Sequence, residues 1–530
     1  MDFRLIWLAG LALAALVARS IIVKYKHSSR ARALNCKAPL TLFPGLTGAV
    51  KMIKQVKAGK FAEYIASLHE AHGPTFKEKM IGNNLISTID PANIKALLAS
   101  QFNDFGLGIR YRQFHPLLGD GIFTLDGKGW SFTRAMIRPQ FAREQIADLA
   151  LFDRHVTQMI NVLPRGHSSF DIQELFYLLT IDSATEFLFG ESTGSLHAYG
   201  SHTASTVVGS LAGFAEAFNT SQEYLLRRVL AQRFYWTINP SKFRNANAQI
   251  HEVVDRYVQL ALLSKNAGNA QKVGHGHAQG RYVFLEALAS GTDDPKLIRD
   301  NLLNVLLAGR DTTASLLSSV FFFLARNARV WEKLRREIVG EFGDCHRPGN
   351  EITHARVKDL TYLRYVLNET LRLLPPVPVN FRQAVKDTSL PVGGGQARNE
   401  PIYIEKGDIV GYNVYAMHRR TDIWGADAHV FRPERWADNP PRGWEYLPFN
   451  GGPRICLGQQ YALIEASYTI IRLLQEFDIL EDAEEGLFAE PRLQANLVLA
   501  HRDGIHVRLY SSTTAKWGKG GLNAVLEEPL

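Results

Sequence analysis

The chain opens on an apolar block. Residues 5–18 read L-I-W-L-A-G-L-A-L-A-A-L-V-A, and Ile21-Ile22-Val23 extend the block past Arg19 and Ser20. Its length is close to the roughly 20 residues that a bilayer-spanning helix requires. Arg19, near the end, reaches the interface by extending its stem. Lys24, Lys26, Arg30, Arg32 and Lys37 follow the block, whereas only Asp2 and Arg4 flank its other end. That asymmetry puts residues 24 onward on the cytosolic side. A cleaved signal peptide is the weaker alternative, because no cysteine framework follows it. Residues 24–60 read as a basic linker in which Pro39, Pro44 and Gly45 break any helix.

Beyond the linker the period changes several times. Residues 75–89, T-F-K-E-K-M-I-G-N-N-L-I-S-T-I, predict two short strands joined at Gly82-Asn83-Asn84. Asp90-Pro91 supplies an N-cap and a first-turn proline for a helix through Leu98. From about 125 to 262 apolar residues recur mostly at helical spacing. Residues 265–280 are poor in apolar side chains and predict a surface loop; His275 and His277 lie there without further ligand-type residues nearby. Asp294-Pro295 opens a second capped helix, unbroken and apolar to about Arg326, which must cross the middle of the protein. A shorter helix follows at about 361–374, strand-like and irregular chain at 377–435, and a last helix at about 457–476. Residues 492–510 predict a closing hairpin with its turn at Asp503-Gly504.

No repeat and no second linker break the chain, so the pattern predicts one large, mainly α domain with a minor β-sheet region. Residues 61–510 form it, after an N-terminal transmembrane helix (1–23) and the linker (24–60). A polar tail, 511–530, follows. Composition adds limits. With 46% hydrophobic and 21% charged residues the chain is globular in type rather than disordered. Three cysteines (Cys36, Cys345 and Cys456) exclude a disulfide framework and point to a reducing compartment. The net charge of +8 comes without a dense basic stripe, which argues against nucleic acid and suits a membrane surface or an acidic protein partner.

Three stretches carry candidate chemistry. In the long helix, A-G-R-D-T-T (308–313) places Gly309, Asp311 and Thr312 where each is a poor helix former. Either the helix kinks there with a solvated aspartate, or an acid and a hydroxyl meet a ligand in a widened groove and relay protons. N-E-T-L-R (368–372) sets Glu369 and Arg372 three residues apart, by itself an ordinary surface pair. F-R-P-E-R-W (431–436) offers Arg435 as a second fork for that carboxylate. Finally, P-F-N-G-G-P-R-I-C-L-G (448–458) guards Cys456 between a glycine-rich loop and a helix start, and both favour a thiolate. One thiolate cannot close a zinc site, but it suffices as the sole protein ligand of a haem iron.

Together these stretches resemble the cytochrome P450 monooxygenases. F-N-G-G-P-R-I-C-L-G fits that family's F-x-x-G-x-R-x-C-x-G haem loop at every fixed position. A-G-R-D-T-T resembles its oxygen-activating motif, E-T-L-R its E-x-x-R pair, F-R-P-E-R-W the loop completing the clamp, and W-S-F-T-R (130–134) its W-x-x-x-R. The resemblance covers essentially everything after the apolar block. It implies haem b, with Cys456 as axial ligand and Trp130, Arg134, Arg382 and Arg454 on the haem carboxylates. Phe449 packs on the thiolate side, while Gly452 and Gly458 admit the backbone close to the ring. It further implies that Glu369, Arg372 and Arg435 hold the fold around the haem loop, and that Asp311 and Thr312 supply protons as O2 is activated. Electrons come from NADPH through a membrane-bound NADPH–cytochrome P450 reductase, at the cytosolic face of the endoplasmic reticulum.

Several stretches, among them R-P-Q-F-A-R-E-Q (138–145), L-N-E-T-L-R-L and V-F-R-P-E-R-W, look like the fungal branch that hydroxylates n-alkanes and fatty acids at or near the terminal carbon. The lining expected above the haem is Val305, Ala308, Val377, Val379, Leu497 and Val498. Ala308 stands where animal fatty-acid hydroxylases often carry a haem-esterified Glu, so no such ester is expected. Alternatives in the same chemistry are polyketide or terpenoid tailoring. Others are a haem-thiolate isomerase or dehydratase, or a non-catalytic haem protein. Regiochemistry is expected to depend on how residues 103–122 and 200–260 close over the haem.

Overall fold

The computed structural model describes residues 27–511 except 44, 81–82, 142–148, 202–212, 267–282, 439, 484–490 and 496, with a few isolated positions before residue 27. Strand β1 (Thr41–Leu42) and helices α1 (Gly45–Ala58) and α2 (Phe61–His72) come first. Helix α1 falls inside the stretch expected to be a linker. Gly45 stands at its first position rather than inside it, and no proline interrupts the residues that follow, so the breakers expected there leave the helix intact. β2 (Thr75–Met80) and β3 (Asn83–Thr88) pair antiparallel from Thr75↔Thr88 to Met80↔Asn83, as the alternation predicts; Gly82 of the expected turn lies outside the described residues. Asp90 Oδ1 then accepts the Ala92 amide at 2.9 Å and caps a short helix, which widens into a π-type turn at Ala96–Ser100.

Next come β4 (Phe105–Gly106), α3 (Arg110–Leu118), α4 (Gly127–Ile137), α5 (Ala150–Val162), β5 (Phe170–Asp171) and α6 (Ile172–Phe189). α7 (Phe214–Leu230), α8 (Ser241–Asn266), α9 (Phe284–Gly291) and α10 (Pro295–Ala325) follow. The expected loop at 265–280 lies almost wholly outside the described residues. α10 is the predicted crossing helix. Asp294 Oδ1 accepts the Lys296 and Leu297 amides at 3.0 and 3.2 Å, and the helix runs 31 residues, or about 46 Å. Both α6 and α10 are buried on nearly every face and pack on each other at the centre of the larger core.

The chain closes with α11 (Ala328–Phe342), α12 (Thr361–Leu373), β6 (Val379–Ala384), β7 (Thr388–Gly394), β8 (Glu400–Ile404), β9 (Ile409–Asn413) and α13 (Gln459–Glu476). β10 (Ile479–Asp482), β11 (Leu493–Ala495), β12 (Leu499–His501) and β13 (His506–Tyr510) end it. A six-stranded sheet in the order β1-β2-β3-β9-β6-β4 covers the second, smaller core. The predicted closing hairpin is absent. β12 pairs with β11, whereas β13 pairs with β10 and β5, so the turn at Asp503-Gly504 moves the chain from one sheet to another. Gly504 meets that bend at φ +78°, its Cα close against Asp171. No described helix is long and apolar enough to cross a membrane. The expected anchor at 1–23 and the tail at 511–530 lie almost entirely outside the described residues.

Candidate active site

Helix α10 and the loop ahead of α13 face each other across a cavity of about 270 Å³. Ala308, Gly309 and Thr312 line one side, and Phe449, Cys456 and Gly458 line the other. A Cβ added to Gly309 would meet nothing within 4 Å, so the residue that weakens the helix locally leaves space where the cavity lies. Thr312 Oγ1 donates to the Ala308 carbonyl at 2.7 Å, which satisfies the hydroxyl without breaking the helix.

Asp311 does not share this cavity. Thr313, on the other side of Thr312 in sequence, does line it. The cavity therefore spans the face of α10 that carries Ala308, Gly309, Thr312 and Thr313, and Asp311 falls about 100° back from Thr312, away from that face. Its carboxylate lies 3.5 Å from Arg310 Nε and is hydrogen-bonded by Gln222. Burial raises its proton affinity, and Arg310 and Gln222 only partly oppose that. The acid and the hydroxyl, expected in one groove, therefore lie on different faces.

Cys456 is held by its backbone: its amide donates to the Phe449 carbonyl at 3.0 Å. Cys456 lines the cavity as a free cysteine. Burial pushes the thiol pKa up, while the Gly458 amide and Arg134 favour the thiolate. Arg134 also donates to the Ile455 carbonyl at 2.8 Å. Gly458 precedes α13, whose N-terminal amides add to the same effect. Gly452 has a different task. Its φ is +70°, and a Cβ there would lie 1.9 Å from the Leu98 carbonyl oxygen, so it admits the π-type turn rather than the cavity.

At one edge of the cavity stand four guanidiniums: Arg110, Arg134, Arg382 and Arg454. Arg454 stacks 4.4 Å from the Trp130 ring centroid and donates to Asp126 at 2.7 Å. Among the described residues it alone of the four makes an ion pair. Arg110 and Arg382 use the Asn380 side chain and the Phe381 carbonyl as acceptors. Burial, reinforced by Arg382, pulls the Arg110 pKa down to about 9. Burial also brings Arg454 to about 10, with Asp126 opposing and Arg382 and Arg134 adding to the fall. Buried positive charge in such excess is complementary to a dianionic group. Sequence reasoning missed Arg110, which sits in R-Y-R-Q with no motif to mark it.

The remaining expected lining divides by geometry. Val305, Ala308 and Val377 line the cavity. Val379 does not, because alternation along β6 sends Asn380 and Arg382 inward and Val379 the other way. Leu497 and Val498 fall in the connection between β11 and β12 and pack into the protein instead. Ile122, Phe123 and Phe187 complete much of the apolar wall.

Behind the cysteine loop lies the clamp. Glu369 and Arg372 are fully buried, joined at 2.8 and 2.9 Å in a two-pronged pair. Arg435 Nε reaches the same carboxylate at 3.3 Å, with the Arg432 amide at 3.0 Å and the Trp436 indole at 3.1 Å. Arg372 also donates to the carbonyls of His418 and Ala428. His418 then transmits the clamp to the loop. Its Nε2 accepts the Leu447 amide at 2.9 Å, which leaves Nδ1 to donate to the Arg372 carbonyl at 3.2 Å. Burial first, and Arg372 second, lower its pKa to about 3, so the ring is neutral. His418 was not legible in the sequence, being one of 17 histidines without a motif.

The residues fit a haem. Among the described residues no group of three or more His, Cys, Asp or Glu could hold a metal ion, so a metal at Cys456 must bring its own donors. A porphyrin brings four, and its two carboxylates answer the guanidinium cluster.

Comparison with known proteins agrees with that fit. The family model described as Cytochrome P450 matches residues 43–505. Cytochrome P450 52A12 of Debaryomyces hansenii is 48% identical over 510 residues, covering 94% of this chain and 97% of the relative. Cytochrome P450 52A5 of Candida maltosa is 50% identical, covering 84% and 85%. Cytochrome P450 52A1 of Candida tropicalis is 49% identical, covering 82% and 79%.

Proposed function

The chain belongs to the cytochrome P450 family, and from that premise we propose that it hydroxylates long-chain alkanes or fatty acids at or near the terminal carbon. As a cytochrome P450 monooxygenase it works with haem, O2 and electrons drawn from NADPH through a reductase. The observation that carries the substrate reading is the apolar wall of Val305, Ala308, Val377, Ile122, Phe123 and Phe187 between Thr312 and Cys456. That wall suits an unbranched chain, which offers nothing to hydrogen-bond except at its far end. The similarity to several 52A cytochromes supports the same choice of fungal branch.

In this reading Cys456 would hold the haem iron as a thiolate, the deprotonated form that metal ligation requires. Arg134, Arg382 and Arg454, with Arg110, orient the ring through its carboxylates, and Trp130 backs Arg454. Phe449 closes the thiolate side. Glu369, Arg372 and Arg435 keep the cysteine loop in place through His418. The haem, when bound, supplies the centre at which O2 is reduced and one oxygen atom becomes reactive toward a C–H bond. Thr312 holds a proton at the cavity wall for that reduction. In the same reading Asp311, one residue earlier on α10, is the proton source behind Thr312, its burial favouring the protonated carboxyl. Residues 1–23 anchor the enzyme in the endoplasmic reticulum membrane, and residues 61–510, joined by β1 and α1 from the stretch expected to be a linker, form the catalytic unit facing the cytosol. NADPH–cytochrome P450 reductase is the electron donor.

The test is turnover of the membrane-bound enzyme with NADPH and reductase on a panel of C10–C18 alkanes and fatty acids. Terminal or near-terminal alcohols are expected. Rejection of the whole panel would overturn the substrate class and leave the haem-thiolate assignment standing.

A further inference from the structure

Asp300, Asn304, Ala308 and Thr312 recur every four residues and so share one stripe of α10. The last two line the cavity. The first two are polar side chains with 0% exposure that the chemistry above does not use. Both bind the segment between α3 and α4, which carries Ile122 and Phe123 into the cavity wall.

The binding is specific to the backbone of that segment. Asp300 Oδ2 accepts the Asp120 amide at 2.8 Å. Asn304 Oδ1 accepts the Phe123 amide at 3.1 Å, while its Nδ2 donates to the Leu118 carbonyl at 2.9 Å. Lys296 bridges Asp120 and Asp300 at 2.8 and 2.7 Å. Two glycines make the close approach possible. A Cβ on Gly119 would lie 2.1 Å from the Asp300 carboxyl carbon, and one on Gly121 would lie 2.2 Å from Asn304 Nδ2. On the far side Arg454 donates to the carbonyls of Ile122 and Leu125. The wall is therefore fastened from two sides.

We propose that Asn304, backed by Asp300, is a positioning residue for substrate specificity: it fixes how far Ile122 and Phe123 reach into the cavity. This rests on the lipophilic-chain reading of the same cavity. A buried amide serving one donor on the segment and one acceptor at the end of α3 admits no sliding, since any shift leaves a buried polar group unpaired. The apolar wall thus keeps a set depth, and a long chain meets it at a set place.

The experiment uses full-length, haem-loaded protein and two probes, imidazole and 1-dodecylimidazole, titrated by visible absorbance. The ratio of the two affinities isolates what the wall does for the alkyl chain. Asn304→Ala and Phe123→Ala are each expected to lower that ratio about tenfold, and the double variant to lower it no further than the stronger single one. Gly121→Ala, which must displace the Asn304 amide while keeping every side chain of the latch, should reproduce the Asn304→Ala result should that variant not fold. An unchanged ratio in Asn304→Ala or Gly121→Ala, or losses that multiply in the double variant, would overturn the proposal. Because the readout is ligand binding, a failure to oxidise fatty acids counts against the substrate reading alone.

Discussion

Replacing Glu369 by glutamine changes one oxygen for one nitrogen in a fully buried side chain. The carboxylate accepts from Arg372 Nε and Nη2, Arg435 Nε, the Arg432 amide and the Trp436 indole, at 2.8–3.3 Å. A glutamine oxygen satisfies about two donors, and its NH2 turns donor against donor. Two buried guanidiniums then lose their shared counterion, with only Arg435 keeping another, Asp427, at 2.7 Å. Removing one partner of a buried pair costs about 3–5 kcal/mol, a large part of the roughly 5–15 kcal/mol that holds a typical fold. The exposed Glu223–Arg227 pair on α7 is the control, where Glu223→Gln should cost under about 1 kcal/mol. Urea denaturation followed by far-UV circular dichroism measures both. Because Arg372 reaches Leu447 through His418, Glu369→Gln should also degrade the thiolate signature of the ferrous carbon monoxide complex. A Glu369→Gln protein within 1 kcal/mol of wild type, with an intact spectrum, would refute the clamp as the support of the cysteine loop.

Thr312→Ala should keep substrate binding while cutting product formation by about 100-fold, read as product formed per NADPH oxidised; unchanged coupling would remove the proton role. Arg110→Leu removes a charge that burial first, and Arg382 second, disfavour, so the haem-free protein should gain stability while haem loss to an acceptor apoprotein speeds up about tenfold. His69, His418 and His501 are held neutral, with pKa values near 4, 3 and 3, burial being the first cause in each. The unfolded chain binds protons at these sites below about pH 6.5 and the folded chain does not. Their contribution is therefore complete above pH 6.5 and is lost as pH falls toward 4, at about 1.4 kcal/mol per pH unit for each. Urea midpoints between pH 7 and 5 measure this, and His418→Asn should flatten the slope.

Periodicity and caps made the long elements legible. Asp294-Pro295 and the unbroken apolar run define α10, and Asp90-Pro91 defines a cap that the structure repeats. The motif residues Cys456, Thr312, Arg134 and Arg454 converge on one cavity, because a contiguous motif keeps its local geometry wherever the fold places it. What the sequence could not reveal depends on direction or on distant pairing. Asp311 and Val379 turn away because periodicity does not say which face of a helix or strand meets the cavity. Gly452 serves a turn more than three hundred residues upstream, and β13 leaves β12 for β10 and β5. Arg110 and His418 lie in unremarkable stretches; only their tertiary neighbours give them a task.

The claim on which the rest depends is that Cys456 binds haem as a thiolate beneath the α10 cavity. The absorbance of the ferrous carbon monoxide complex tests it directly. The wild-type protein should give the strongly red-shifted Soret band of thiolate ligation, and Cys456→Ser and Cys456→Ala should abolish it. A wild-type band at the unshifted position, or a red-shifted band surviving in Cys456→Ala, would contradict the account.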